Sequence, residues 1–225
     1  MEKVSKYRHA LSIGNILFCI LAILFLIGCE TSRSFRAPLG LQSAGFFDTV
    51  VIDAGHGGHD SGAKAVSGAP EKQLALDTSR RLSRLLKESG LRVVETRTSD
   101  YFVPLDKRVS VSNKLRNAVF VSIHYNLVRR AKPSGVETFY HGQRSSRLAA
   151  NIQGEVLKSS GAINRGVKRR GFYVLKNNKR PAVLCELGFV SNPSENRKIQ
   201  SASTRQRLAE SVARGILAEK AGRNP

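Results

Sequence analysis

Val50-Val51-Ile52-Asp53-Ala54-Gly55-His56-Gly57-Gly58-His59-Asp60 is the stretch on which the reading of this chain turns. Three β-branched residues in succession, halted by Ala54-Gly55, predict a short buried strand that breaks into a tight loop and presents His56 at its carboxyl end. Glycines at 55, 57 and 58 remove Cβ atoms from around that imidazole, so backbone can approach a ligand or a metal closely. A dinucleotide-binding loop also follows a strand and is glycine-rich. It fails on spacing, because G-x-G-x-x-G counted from Gly55 needs glycine where Asp60 stands. A lone loop histidine is more often a hydrogen-bonding residue than a ligand, so His56 needs partners from elsewhere in the chain.

Working outward, Pro70 before Glu71 marks a helix start, and Leu74, Thr78, Leu82, Leu85 and Leu86 form its apolar face until Gly90 ends it. Residues 91–96 predict a second strand and residues 105–117 a helix. The apolar run 118–123 predicts a strand that delivers His124 and Asn126 at its end. Residues 136–140, 172–175 and 182–187 read as further strands, and residues 144–160 and 204–220 as amphipathic helices. There is no internal repeat. Strands alternating with helices of this length predict a single α/β domain, a mixed or largely parallel central sheet flanked by helices. In such sheets the site lies outside the carboxyl ends of the strands, where His56, His124 and Glu186 all fall.

Ile52-Asp53-Ala54-Gly55-His56-Gly57-Gly58, Glu71 at a helix start, Ser122-Ile123-His124-Tyr125-Asn126, and Pro181-Ala182-Val183-Leu184-Cys185-Glu186-Leu187-Gly188-Phe189-Val190-Ser191-Asn192 together resemble the zinc-dependent N-acetylmuramoyl-L-alanine amidases of the cell-separation and autolysin type, the third amidase family. The resemblance covers residues 49–220. It implies that His56, Glu71 and His124 bind Zn2+, that Glu186 is the catalytic carboxylate, and that the substrate is the peptidoglycan stem-peptide amide, cut for wall remodelling or cell division. Catalytic zinc takes three nitrogen or oxygen ligands and keeps a fourth position for water, which two histidines and a glutamate satisfy. A further carboxylate, not a ligand, can then relay a proton. Taken singly, Glu71 reads as a carboxylate facing a helix dipole and His124 as a core histidine. Cys185, next to Glu186, points to the other side of its strand and reads as core. Some members carry an inserted helix that plugs the site. Between Tyr140 and Phe172 this chain has 31 residues, enough for one ordinary helix and a loop.

The amino-terminal segment is a separate matter. Lys3, Lys6 and Arg8 precede an unbroken apolar run of 12 residues, 16–27, the length of an export signal rather than a spanning helix. It ends Leu26-Ile27-Gly28-Cys29, which resembles the bacterial lipoprotein signal-peptidase box. The expected organisation is a signal peptide over residues 1–28, a lipidated Cys29 with a tether over 29–47, and a catalytic domain over 48–225. An uncleaved anchor is the alternative. Lipidation implies a periplasmic protein held at an envelope membrane, the outer one by expectation; a monomer is expected, with any activator protein unidentified. The mature chain keeps 34 Lys+Arg against 16 Asp+Glu, a charge of +18 that calls for an anionic partner. The candidates are nucleic acid, lipid headgroups and a polymer bearing carboxylates; for an exported, tethered protein nucleic acid is the least expected, and peptidoglycan or muropeptide is the expected substrate partner. Seven basic residues among 165–180 read either as a solvated face or as a rim that attracts stem-peptide carboxylates.

Two further readings remain. A basic wall-binding module would keep the charged surface without any catalysis. Ser61-Gly62-Ala63-Lys64 is an S-x-x-K tetrad, the arrangement in which a lysine one helical turn away activates a serine nucleophile, and it would add a penicillin-sensitive D-alanyl carboxypeptidase. With 24 serines and 14 lysines, about 1.5 such tetrads are expected by chance.

Overall fold

β1 (Thr49–Ala54) is buried along its whole length, as a β-branched run must be when both faces of its sheet are covered. The computed structural model describes residues 47–128 and 133–222. Cys29, with the lipidation expected of it, lies outside the described residues. After β1 come α1 (Glu71–Glu88), β2 (Arg92–Glu95), α2 (Leu105–Asn113), β3 (Ala118–Asn126) and β4 (Val136–Tyr140). The chain continues through α3 (Ser146–Ser160), β5 (Asn164–Arg169), α4 (Tyr173–Lys176), β6 (Ala182–Phe189), α5 (Pro193–Ile199) and α6 (Ala202–Lys220).

The six strands form one sheet in the order β2-β1-β3-β6-β4-β5. β2, β1, β3 and β6 are mutually parallel, β4 runs antiparallel to β6, and β5 follows β4 in parallel. The sheet is therefore mixed. Alternation along each strand sorts the apolar residues into two layers. Val50, Ile52, Val119, Val121 and Ile123 face α1, α3 and α6, while Val51, Phe120 and Leu184 face α2 and α4. Leu82, Leu86, Leu148, Ile152 and Val212 have no exposed surface, and each contributes roughly 1.5–3 kcal/mol by leaving water. α3 stops at Gly161, whose φ of 59° is the left-handed conformation that ends helices.

Two expectations need correcting, and two elements, β5 and α5, were not anticipated. Residues 172–175 are not a strand: Phe172 caps the one-turn helix α4, which buries Val174 and Leu175 and leaves Phe172 and Tyr173 exposed. A short apolar run does not distinguish strand from helix by periodicity. The strand at that place is β5, Asn-Arg-Gly-Val-Lys-Arg, which is basic because it is the sheet edge, where charge discourages further pairing. α2 ends at Asn113, four residues before the expected 117. α5 carries no sequence periodicity at its length; its cap is Asn192, which accepts from Ser194 N and Glu195 N, ahead of Pro193.

Candidate active site

Ala54 of β1 lies opposite Ile123 of β3, so the next residues along, Gly55 and His124, are neighbours. His124 is in register with Glu186 of β6, and Glu186 with Glu137 of β4. One rung across four strands thus reads glycine, histidine, glutamate, glutamate. The three side chains share the face that carries Phe120 and Leu184 below them, and His124 and Glu186 line a cleft of about 700 Å³ bounded by His56, Glu71, Leu127 and Phe172. Two glycines make the room. A Cβ on Gly55 would stand 2.5 Å from Nε2 of His124, and one on Gly62 would stand 2.6 Å from Oε2 of Glu71. Close approach was expected of the glycines at 55, 57 and 58, and of these three Gly55 meets an imidazole whereas the other two meet backbone: a Cβ on Gly57 would run into Tyr101 O and one on Gly58 would stand 2.7 Å from Phe102 N.

His56 is the non-glycine residue with left-handed backbone among the described residues, at φ 60°, which costs an L-residue roughly 1–2 kcal/mol. Two buried arginines hold it there. Arg97 donates from Nε to Ala54 O at 2.9 Å and from Nη2 to Gly55 O at 2.7 Å. Arg108 donates from Nη1 to Ala54 O at 2.6 Å and from Nη2 to His56 O at 2.7 Å. Three successive carbonyls are therefore pinned by guanidinium groups. Asp53 supplies the counter-charge, accepting from Arg108 Nη1 at 2.8 Å and from Thr96 Oγ1 and Ser122 Oγ at 2.7 Å each. Sequence reasoning missed this support, since Arg97 reads as a loop residue and Arg108 as one helix position among several.

The imidazole itself is aimed by Asp60, whose Oδ2 lies 2.8 Å from Nδ1, so that Nε2 faces Glu71 Oε1 at 3.1 Å. His124 Nδ1 meets the same Oε1 at 2.9 Å. Glu71, in the first turn of α1, is further fixed by two backbone amides, Tyr125 N on Oε1 at 3.0 Å and Ala63 N on Oε2 at 2.7 Å. Burial works to raise the Glu71 carboxyl, but hydrogen bonds from His124 and His56 outweigh it and hold the group far below the usual range. Burial works to lower His56; Glu71 and Asp60 outweigh that and raise it above its ordinary 6.5. One ligand atom from each of His56, Glu71 and His124 lies within 4.8 Å of the others. Two imidazole nitrogens and a carboxylate oxygen are the donor set of a catalytic zinc, and the Asp60 carboxylate behind His56 is the kind of partner that orients a metal-binding imidazole.

Glu186 reaches the same cleft, and its Oε2 is buried without a hydrogen-bond partner. Burial, then the charges of Glu71 and Glu137, push its carboxyl well above the ordinary range. An unpartnered buried oxygen is costly unless it faces a cation or reactant. Glu137, unmarked in the sequence, accepts from Asn126 Nδ2 at 2.6 Å and Lys168 Nζ at 2.5 Å, with Arg165 Nε at 3.7 Å. Two cations of the basic stretch 165–180 are thus turned inward. Cys185 is buried in the core, as its strand position implies. Ser61 and Lys64 are not a helical tetrad: residues 59–69 form a loop, Lys64 is exposed, and Ser61 Oγ donates a long 3.4 Å bond to Gly62 O. α3, the helix in the segment where a plug would be inserted, packs with α1 and α6 on the face away from the cleft.

The family model described as N-acetylmuramoyl-L-alanine amidase matches residues 50–218. The chain belongs to that family. YqiI of Bacillus subtilis, an uncharacterised protein, is 41% identical to this family member over 172 residues, covering 75% of this chain and 82% of its own. The N-acetylmuramoyl-L-alanine amidase LytC of the same organism is 34% identical and covers 85% of this chain, but only 39% of LytC is spanned. Among solved structures, the amidase AmiC2 of Nostoc punctiforme is 35% identical with a TM-score of 0.73, covering 77% of this chain and 96% of that one. The catalytic domain of the amidase CwlV from Paenibacillus polymyxa is 36% identical with a TM-score of 0.73, covering 76% and 96%.

Proposed function

We propose that this amidase hydrolyses the amide between the lactyl group of N-acetylmuramic acid and L-alanine of the peptidoglycan stem peptide, with Zn2+ held by His56, Glu71 and His124. The observation that carries the reading is the convergence of those three donors within 4.8 Å beside an unpartnered Glu186 oxygen. Zinc held there supplies a Lewis acid for the amide carbonyl and lowers the pKa of water. Glu186 Oε2 takes the proton of the attacking water and delivers it to the alanine nitrogen as the C–N bond breaks, leaving a lactyl carboxylate and a free stem peptide.

Purified chain incubated with defined muropeptides should release the intact stem peptide with a new L-alanine amino terminus. Chelation should stop the release and Zn2+ should restore it. Turnover that survives exhaustive chelation sinks the metal reading, and retention of muropeptide without cleavage would make the chain a wall-binding module instead.

Location rests on Leu26-Ile27-Gly28-Cys29, which supports export, acylation of Cys29 and attachment to an envelope membrane, the outer one by preference. One acyl chain gives reversible binding, whereas several on one cysteine give stable attachment. Labelled fatty acid should enter the wild type and not Cys29→Ala; equal labelling of both contradicts the lipoprotein reading.

A further inference from the structure

At the opposite end of the sheet from the catalytic rung, a second cleft of about 560 Å³ is lined by Arg116, Arg144, Arg147, Lys179 and Arg180. It sits at the amino ends of the central strands, with Ala118 opening β3 and Pro181 preceding β6. Its one carboxylate, Glu219, is buried and already taken, by Arg147 Nε at 2.8 Å, Arg147 Nη2 at 3.1 Å and Asn151 Nδ2 at 3.0 Å. The other four cations have no ion pair among the described residues. Arg144 and Arg180 reach only backbone carbonyls, Lys179 O at 3.5 Å and Asn113 O at 3.3 Å, and Nε of Arg180 is buried without an acceptor. Four like charges gathered in a concavity repel one another, and an anion relieves them. This differs from the catalytic rim, where Lys168 and Arg165 are consumed by Glu137.

We propose that this cleft docks anionic phospholipid headgroups, so that the domain lies with the amino ends of its strands on the membrane and its catalytic end turned toward the wall. Guanidinium groups present paired donors to phosphate oxygens. The choice of a lipid surface over other phosphates comes from where the chain enters. Asp48 N and Thr49 N both donate to Asn117 O at 3.1 Å, beside Arg116, so the polypeptide joins the domain at this same end. The apolar run 16–27 stands upstream of that entry in the sequence. No aromatic ring lines the cleft, so base stacking, on which single-stranded nucleic acid relies, is not provided.

The test reads binding and not turnover, so its outcome is separate from that of the amidase assignment. Full-length protein in neutral detergent is titrated with phosphatidylglycerol or phosphatidylcholine in mixed micelles, and amide exchange is followed over residues 114–118 and 178–182. Phosphatidylglycerol should slow exchange there and phosphatidylcholine should not. Each basic residue at an anionic surface contributes about fivefold, so Arg144→Glu with Arg180→Glu should raise the half-saturating lipid fraction by roughly 30-fold or more. Arg84→Glu with Arg197→Glu, an equal change of charge at exposed positions outside the cleft, should leave it unchanged. The proposal is overturned if the cleft variant responds like wild type, if the control loses as much, or if inorganic phosphate or soluble polyphosphate protects as well as lipid at equal phosphate concentration.

Discussion

Glu186→Gln is expected to lower turnover by roughly 10²–10⁴-fold while zinc stays bound, the range over which a positioned acid–base group acts. Glutamine keeps the length and the oxygen but cannot carry a proton. Glu186 Oε2 has no hydrogen-bond partner among the described residues, so no hydrogen bond of that oxygen is lost with its charge. The carboxyl is also unusually willing to hold a proton, because burial and then Glu71 and Glu137 raise it. Zinc in the neighbouring cluster would add positive charge and bring that value down toward the working range. The measurement is metal content by mass spectrometry beside kcat on one muropeptide. If metal and activity fall together in proportion, Glu186 is a ligand and the proton-relay role is wrong.

Glu71→Gln should cost more, roughly 10³-fold or beyond, because it removes the anionic ligand and with it the several kcal/mol that a metal contributes. Glu71→Ala alone would be ambiguous, since it also strips the acceptors from Ala63 N and Tyr125 N. Glutamine still offers one oxygen, although Oε1 and Oε2 serve Tyr125 N and Ala63 N separately, so loss of zinc on dialysis from a Glu71→Gln protein that keeps its amide-exchange protection at residues 63 and 125 isolates the ligand role. A retained zinc would refute it. The metal-free wild type adds a pH signature. His56 is raised in the fold, so its pairing with Glu71 stabilises the chelated protein below an unfolded value near 6.5 and is lost as pH climbs through the higher folded value. Glu71 is depressed, so its own contribution is present above the unfolded 4.5 and is lost only in strong acid. The chelated protein should therefore lose thermal stability as pH rises past about 6.5 and through the raised value of His56, and the zinc-loaded protein should not, because metal replaces the proton.

Much of this was legible in the chain because the signals were local. A β-branched run stopped by Ala54-Gly55 has few ways to fold, and an apolar run ending in His124 can hardly be anything but a strand with a polar tip. Glu186 stood out for a different reason: a carboxylate flanked by Leu184 and Leu187 contradicts its surroundings unless chemistry needs it. What escaped depends on registration between distant segments. Glu137 faces Glu186 only because β4 inserts antiparallel beside β6. Arg97 and Arg108 look like surface residues until the loop after β1 folds back and offers them carbonyl oxygens. The exchange of β5 for residues 172–175 has the same origin, since an edge strand is recognised by its position in the sheet and not by its hydrophobicity.

The absence of a side chain at Gly55 and at Gly62 bears on how other chains of this fold should be read. A methyl group at either position would occupy the volume that His124, or Glu71 together with His56, now fills. A paralogue could retain all three donors in its sequence and still have nowhere to put them. Scanning these two positions first would therefore sort functional enzymes from pseudoenzymes before any ligand is counted.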